Sequence, residues 1–97
     1  SLSTPQIEGK NPFSFSVSPN PTTNDTVRIQ FDMPYLAKVN YILTTIEGKI
    51  VEEGEIEDVK QGFNTMSFDL NSIQSEFVII TFIFDDKFYR SQKVIKK

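Results

Sequence analysis

Hydrophobic and polar residues alternate with period two along most of the chain, the signature of half-buried β-strands. Phe13, Phe15 and Val17 fall on one face, with Ser14, Ser16 and Ser18 on the other. Val27, Ile29, Phe31 and Met33 alternate with Thr26, Arg28, Gln30 and Asp32, and Pro34 stops the run. Ala37 to Ile46 reads as the third strand, with Val39, Tyr41 and Leu43 opposed to Ile42 and Ile46. Glu47-Gly48-Lys49 reads as a tight hairpin turn, because Gly reaches positive φ without a steric penalty, and Ile50 to Glu57 as the returning strand. Met66, Phe68 and Leu70 then alternate with Thr65, Ser67 and Asp69. Phe77 to Phe84 is apolar on both faces, as a central strand should be, and Phe88 to Ile95 closes the series after the polar turn Asp85-Asp86-Lys87.

The breaks between these runs are equally explicit. Pro19-Asn20-Pro21 heads a stretch to Asp25 in which each proline fixes its own φ and denies a helix to its predecessor. Val59 to Gly62 reads as a turn, and Asn71 to Glu76 as a loop. Ser1 to Asn11, with Pro5, Gly9 and Lys10, reads as a linker or leader, leaving 12–97 as the folded domain. Seven short strands and no helical period predict an all-β, seven-stranded immunoglobulin-like antiparallel β-sandwich. The Cys…Trp…Cys signature of true immunoglobulin domains is absent, so the expectation concerns architecture alone.

Size is consistent with this. A chain of 97 residues makes one domain, and scaling relations leave roughly 5,600 Å² exposed of about 16,000 Å² in the unfolded chain. Nine Phe and three Tyr supply much of the implied core. The net charge of −3 and a pI of about 4.8 argue against a nucleic-acid partner, since neutralising phosphates needs a basic surface. No apolar run approaches the roughly 20 residues of a membrane span, so the chain is not expected to cross a bilayer. It lacks an initiator Met and a signal peptide, as expected of a mature or excised part of something longer.

Candidate chemistry is sparse. Without His or Cys, neither a Ser-His-Asp nor a Cys-His constellation can be built, and sulfur-based metal sites are excluded. No cofactor is implied. Carboxylates paired across a cleft would need concavity that a small sandwich does not offer. The acidic series Glu47, Glu52, Glu53, Glu55, Glu57 and Asp58 alternates along one strand and reads as a solvated edge, not a converging calcium site. Asn24-Asp25-Thr26 fits the N-glycosylation pattern, but its polar turn already accounts for its residues. Arg90, Lys93, Lys96 and Lys97 give the last strand a basic character that also protects an edge against aggregation. A strand with a basic tail at the end of the chain suggests a terminal module read by other machinery.

In order and spacing, these elements resemble the C-terminal sorting domain (type A) of the type IX (Por) secretion system of Bacteroidetes. The resemblance runs from about Phe13 to Lys97. Ser18-Pro19-Asn20-Pro21 matches the family's Tyr-Pro-Asn-Pro turn without its aromatic residue, and Thr26 to Met33 matches the strand that follows. Tyr41 to Val51 matches its strand with a Gly-Lys turn at Gly48-Lys49, and Gly62-Phe63-Asn64-Thr65 its Gly-x-Asn strand start. Lys93-Val94-Ile95-Lys96-Lys97 matches its closing Lys-(Val/Ile)-(Val/Ile)-Lys-Lys. The family's Leu-x-x-Gly-x-Tyr segment is replaced by Ile73-Gln74-Ser75-Glu76-Phe77-Val78, with Glu76 where Gly falls, which implies a differently built turn.

The resemblance implies a non-catalytic signal that directs upstream cargo of the same chain from the periplasm through an outer-membrane translocon. A sortase-like peptidase would usually remove the domain within or before Ser1 to Asn11, leaving the cargo at the cell surface or outside it. Gly48, Lys49, Lys93, Val94, Ile95, Lys96 and Lys97 are then the expected recognition residues, presented by an edge strand suited to β-augmentation, with Pro19, Asn20 and Pro21 as the turn motif. The alternative is an immunoglobulin-like adhesion or carbohydrate-binding module, for which Tyr35, Tyr41 and Tyr89 are the available aromatic platform.

Overall fold

The computed structural model describes residues 11–19 and 24–96. Seven strands are present: β1 (Ser14–Ser18), β2 (Thr26–Met33), β3 (Val39–Thr44), β4 (Ile50–Glu55), β5 (Gly62–Asp69), β6 (Phe77–Phe84) and β7 (Phe88–Ile95). They form two antiparallel sheets, β1-β2-β5 and β4-β3-β6-β7, packed as a sandwich. The apolar run at β6 sits between β3 and β7, as its two-sided pattern predicts. The fourth strand pairs with the third, whereas in the immunoglobulin constant arrangement it pairs with the fifth, in the sheet of the first and second. β3 and β4 are shorter than the pattern suggests, and β5 starts earlier, at Gly62.

The core follows directly from the alternation. Val27, Ile29, Phe31 and Met33 from β2 face Val78, Ile80, Phe82 and Phe84 from β6, and all eight are buried. Phe82 lies at the centre, its ring centroid 4.9 Å from Phe15, 5.4 Å from Phe31 and 6.2 Å from Phe68. Phe13 precedes β1 yet is fully buried, stacked on Phe84 at 4.6 Å with planes 4° apart. Offset and edge contacts of this kind add about 0.5–1.5 kcal/mol each beyond area burial.

The turns use the residues their geometry needs. Gly48, at φ 96°, donates its N–H to Thr45 O at 2.9 Å, and Thr45 N–H reaches Lys49 O at 2.8 Å. Asp85 and Asp86 both adopt φ near +60° between β6 and β7, where Lys87 N–H closes on Phe84 O at 3.1 Å. Asp tolerates this left-handed region better than most side chains. Asn64, the only buried polar side chain among the described residues, accepts from Lys60 N–H and donates to Lys60 O and Gly62 O. It therefore holds the turn that leads into β5.

The two sides of the sandwich differ. Beside β7, Arg90 Nε donates to Phe13 O at 3.0 Å, Arg90 Nη2 to Asn11 O at 3.4 Å, and Asn11 Nδ2 to Tyr89 O at 3.2 Å. Beside β4 and β5 the sheets splay around a cleft of about 260 Å³ lined by Tyr41, Ile56, Val59, Asn64 and Met66 among others.

Two stability outcomes follow from this packing. Phe82→Ala should cost about 3–5 kcal/mol in urea unfolding, through lost contacts and a cavity between the sheets. Asn64→Ala should cost about 1–3 kcal/mol in the same assay, because the polar groups of the turn lose their buried partner.

Candidate recognition surface

Strand directions decide which motifs meet. In the three-stranded sheet, β1 ends at Ser18, β2 begins at Thr26 and β5 ends at Asp69, with Ser18 paired to Arg28 and Thr26 to Asp69. In the other sheet, β3 ends at Thr44, β4 begins at Ile50, β6 begins at Phe77 and β7 ends at Ile95. The loop between β5 and β6 binds these two sets of ends together. At its start Leu70 N–H reaches Asp25 O at 2.6 Å, and at its end Glu76 O accepts Lys96 N–H at 2.8 Å.

Pro19, the Gly48-Lys49 hairpin, the Glu76 loop and Lys96 therefore share one pole of the sandwich. Asn20, Pro21 and Lys97 lie outside the described residues, as do residues 1–10 of the expected linker and processing segment. Lys49, Glu47, Ser72, Ile73 and Gln74 border a shallow cleft of about 420 Å³. From the other side Lys96 donates Nζ to Ile73 O. The charges are mixed, with Glu47, Glu52 and Glu76 among Lys49, Lys93 and Lys96.

Individual residues depart from the expected set. Val94 is fully buried and belongs to the core, so its side chain reaches no partner of the folded domain. Arg90 ties the chain entry to β7. Lys93 lies with Nζ 4.7 Å from the centroid of the Phe77 ring, and Ile95 is 37% exposed beside it on the outer face. β7 is the outer strand of its sheet, yet Asn11 already bonds the Tyr89 carbonyl, so this start of the edge is not open to an added strand. Glu76 is not among the residues at positive φ, and Ser75 Oγ instead bonds the Phe77 backbone. This turn has no need of the Gly it lacks. The Gly62-x-Asn64 element is likewise structural, and so is the Asn24-Asp25-Thr26 turn, where Thr26 N–H reaches Asn24 Oδ1 at 3.2 Å.

The three tyrosines do not make a common platform. Tyr35 packs edge-on to Phe13 and donates its hydroxyl to Asp85 at 2.9 Å. Tyr41 lies against Phe68 and donates to Glu52 at 2.8 Å, while Tyr89 is 63% exposed on the outer sheet face. Gly54, which pairs with Tyr41, makes that reach possible, since a Cβ there would stand 3.0 Å from Tyr41 Cε1. Glu55 and Glu53 face outward on β4, whereas Glu57 has left the strand. Among the described residues no cluster of Asp and Glu could hold a metal ion, and no helix is long and apolar enough to cross a membrane.

Both bonded tyrosines resist ionisation. The bond to Glu52, then burial and the Glu52 charge, hold Tyr41 above its ordinary 10.0, and burial followed by Asp85 does the same for Tyr35. The fold thus favours the neutral phenol. Its contribution is complete below about pH 10 and is lost as pH rises through the raised value. Tyr41→Phe should flatten the fall in urea midpoint between about pH 9 and about pH 11.

No family model matches this chain, and no curated protein matches it.

Proposed function

We propose that this domain is a non-catalytic sorting module that a type IX outer-membrane translocon reads through the pole carrying Pro19, Gly48-Lys49, the 70–76 loop and Lys96. One observation carries the reading. Motifs far apart in sequence gather at that pole, while the described chain enters at the other, where Asn11 and Phe13 are bonded to the start of β7. Upstream cargo attached there would leave the read surface uncovered, and a peptidase acting before Asn11 would work away from it. On this reading the cargo is delivered to the cell surface or medium. The mixed charge of the pole favours recognition by shape and backbone contacts together with single lysines, not by a broad positive field.

Deleting the last five residues is a poor test, because it removes Val94 and with it part of the core. Surface variants separate folding from recognition. A fluorescent protein fused upstream of residue 1 should be exported by a bacterium with a working type IX system. The variant Lys49→Glu, whose side chain is exposed, should be exported at least about ten-fold less, a loss of about 1.4 kcal/mol in recognition, while keeping its thermal midpoint. Equal export of the two fusions, or retention of both, would overturn the reading.

A further inference from the structure

The outer strands of the four-stranded sheet end differently. On β7 the Tyr89 carbonyl is taken by Asn11, whereas β4 borders no further strand among the described residues. The direction of its backbone groups follows from one bond. Ile56 N–H reaches Val39 O at 2.8 Å, which marks these two as a hydrogen-bonded pair of the antiparallel ladder. Along the register, Tyr41 with Gly54 is the next bonded pair, while Asn40 with Glu55 and Ile42 with Glu53 are the non-bonded pairs between. The N–H and C=O groups of Glu53 and Glu55 therefore point away from β3, to the open side of the sheet. The bulge at Leu43/Thr44 leaves Val51 unpaired and confines this regular edge to residues 52–56.

Side chains along the edge differ by face. Glu53 and Glu55 stand on the outer face, exposed, and no ion pair or side-chain hydrogen bond engages them among the described residues. On the inner side Gly54 has no side chain, and the Tyr41 ring lies across it. Two residues on, Ile56 borders the cleft of about 260 Å³ that Val59 and Met66 also line, with Glu57 and Asp58 at its acidic end.

We infer that the β4 edge, with the cleft behind it, binds an extended peptide in which basic and apolar residues alternate. Opposite Glu53 and Glu55 the added strand forms hydrogen-bonded pairs through the four outward backbone groups. Its side chains at these two positions lie on the outer face beside the carboxylates, which calls for Lys or Arg. The residue between them, opposite Gly54, turns inward against the Tyr41 ring, and the residue opposite Ile56 turns into the cleft, so both are apolar. Acidic edge and apolar interior thus specify the two alternating sets of the ligand. This site lies along the side of the sandwich, apart from Gly48-Lys49 and Lys96, and stands independently of the export reading.

Fluorescence anisotropy of a labelled six-residue peptide alternating Lys and Val, titrated with the purified chain to about 1 mM, tests this. Saturable binding is expected. A peptide of the same composition with its lysines grouped at one end should bind at least about five-fold more weakly, and so should the alternating peptide N-methylated along its pairing edge, which loses its backbone donors. The variant with both Glu53→Lys and Glu55→Lys, first checked for an unchanged thermal melt, should show a similar loss. Absence of binding by the alternating peptide would overturn the inference. So would equal binding by the grouped or the N-methylated peptide, or by the variant chain.

Discussion

Phe82 is the contact on which the rest of this structure depends. It is fully buried, and its ring meets Phe15 from β1, Phe31 from β2 and Phe68 from β5, so one side chain of the second sheet touches every strand of the first. Around it the sheets also meet through the Phe31–Phe84 and Tyr41–Phe68 ring contacts, the connecting segments and the bonds around Asn11, Phe13 and Arg90. With no Cys in the chain, stability rests on this aromatic layer and the aliphatic residues around it. The layer also fixes register. A one-residue slip of β6 would turn Phe82 and Phe84 outward and bring Thr81 into the core.

That register gives the two ends of the sandwich separate characters. The Pro19 turn, the Gly48-Lys49 hairpin, the 70–76 loop and the tail emerge at the end where β7 finishes, whereas the Gly62-x-Asn64 start of β5 lies at the other end, where the described chain enters and β7 begins. The β5–β6 loop runs from the Leu70–Asp25 bond at the end of one sheet to the Glu76–Lys96 bond at the end of the other, which makes the motif-bearing pole a joined surface and not a set of independent loops. Lys96 contributes on both counts, through its backbone to Glu76 and through its side chain to Ile73. A partner that grips this pole would sense whether the whole sandwich has folded, since loosening β6 moves both the loop and the tail. On the proposed reading the signal is thus a folded end, not a linear tag.

Much of the architecture was legible because period two is a direct consequence of strand geometry, and here it is seldom interrupted. β2 and β6 match their sequence patterns residue for residue. The strand ends around Thr44 and Glu55 were less legible. Ile46 and Ile56 continue an apolar pattern after the backbone has turned, and a bulge at Leu43/Thr44 shifts the pairing. The candidate site was legible as motifs but not as an arrangement. Nothing in the local sequence shows that Ile73 would be bridged to Lys96, or that Arg90 would close the sandwich against Phe13. Val94 illustrates the limit. Within a basic motif it reads as part of the signal, yet alternation along β7 turns it inward to Val78. Gly54 was the overlooked clue, since a glycine in mid-strand signals a close approach, here by the Tyr41 ring.

The central claim is that recognition belongs to one pole of the folded domain. Amide chemical-shift mapping of the isotope-labelled domain, titrated with the purified outer-membrane translocon, addresses it most directly. The account predicts changes confined to residues around Gly48-Lys49, 72–76 and Lys93 to Lys96. Changes centred on 34–38, 56–61 and 85–87, at the pole where the chain enters, would contradict it.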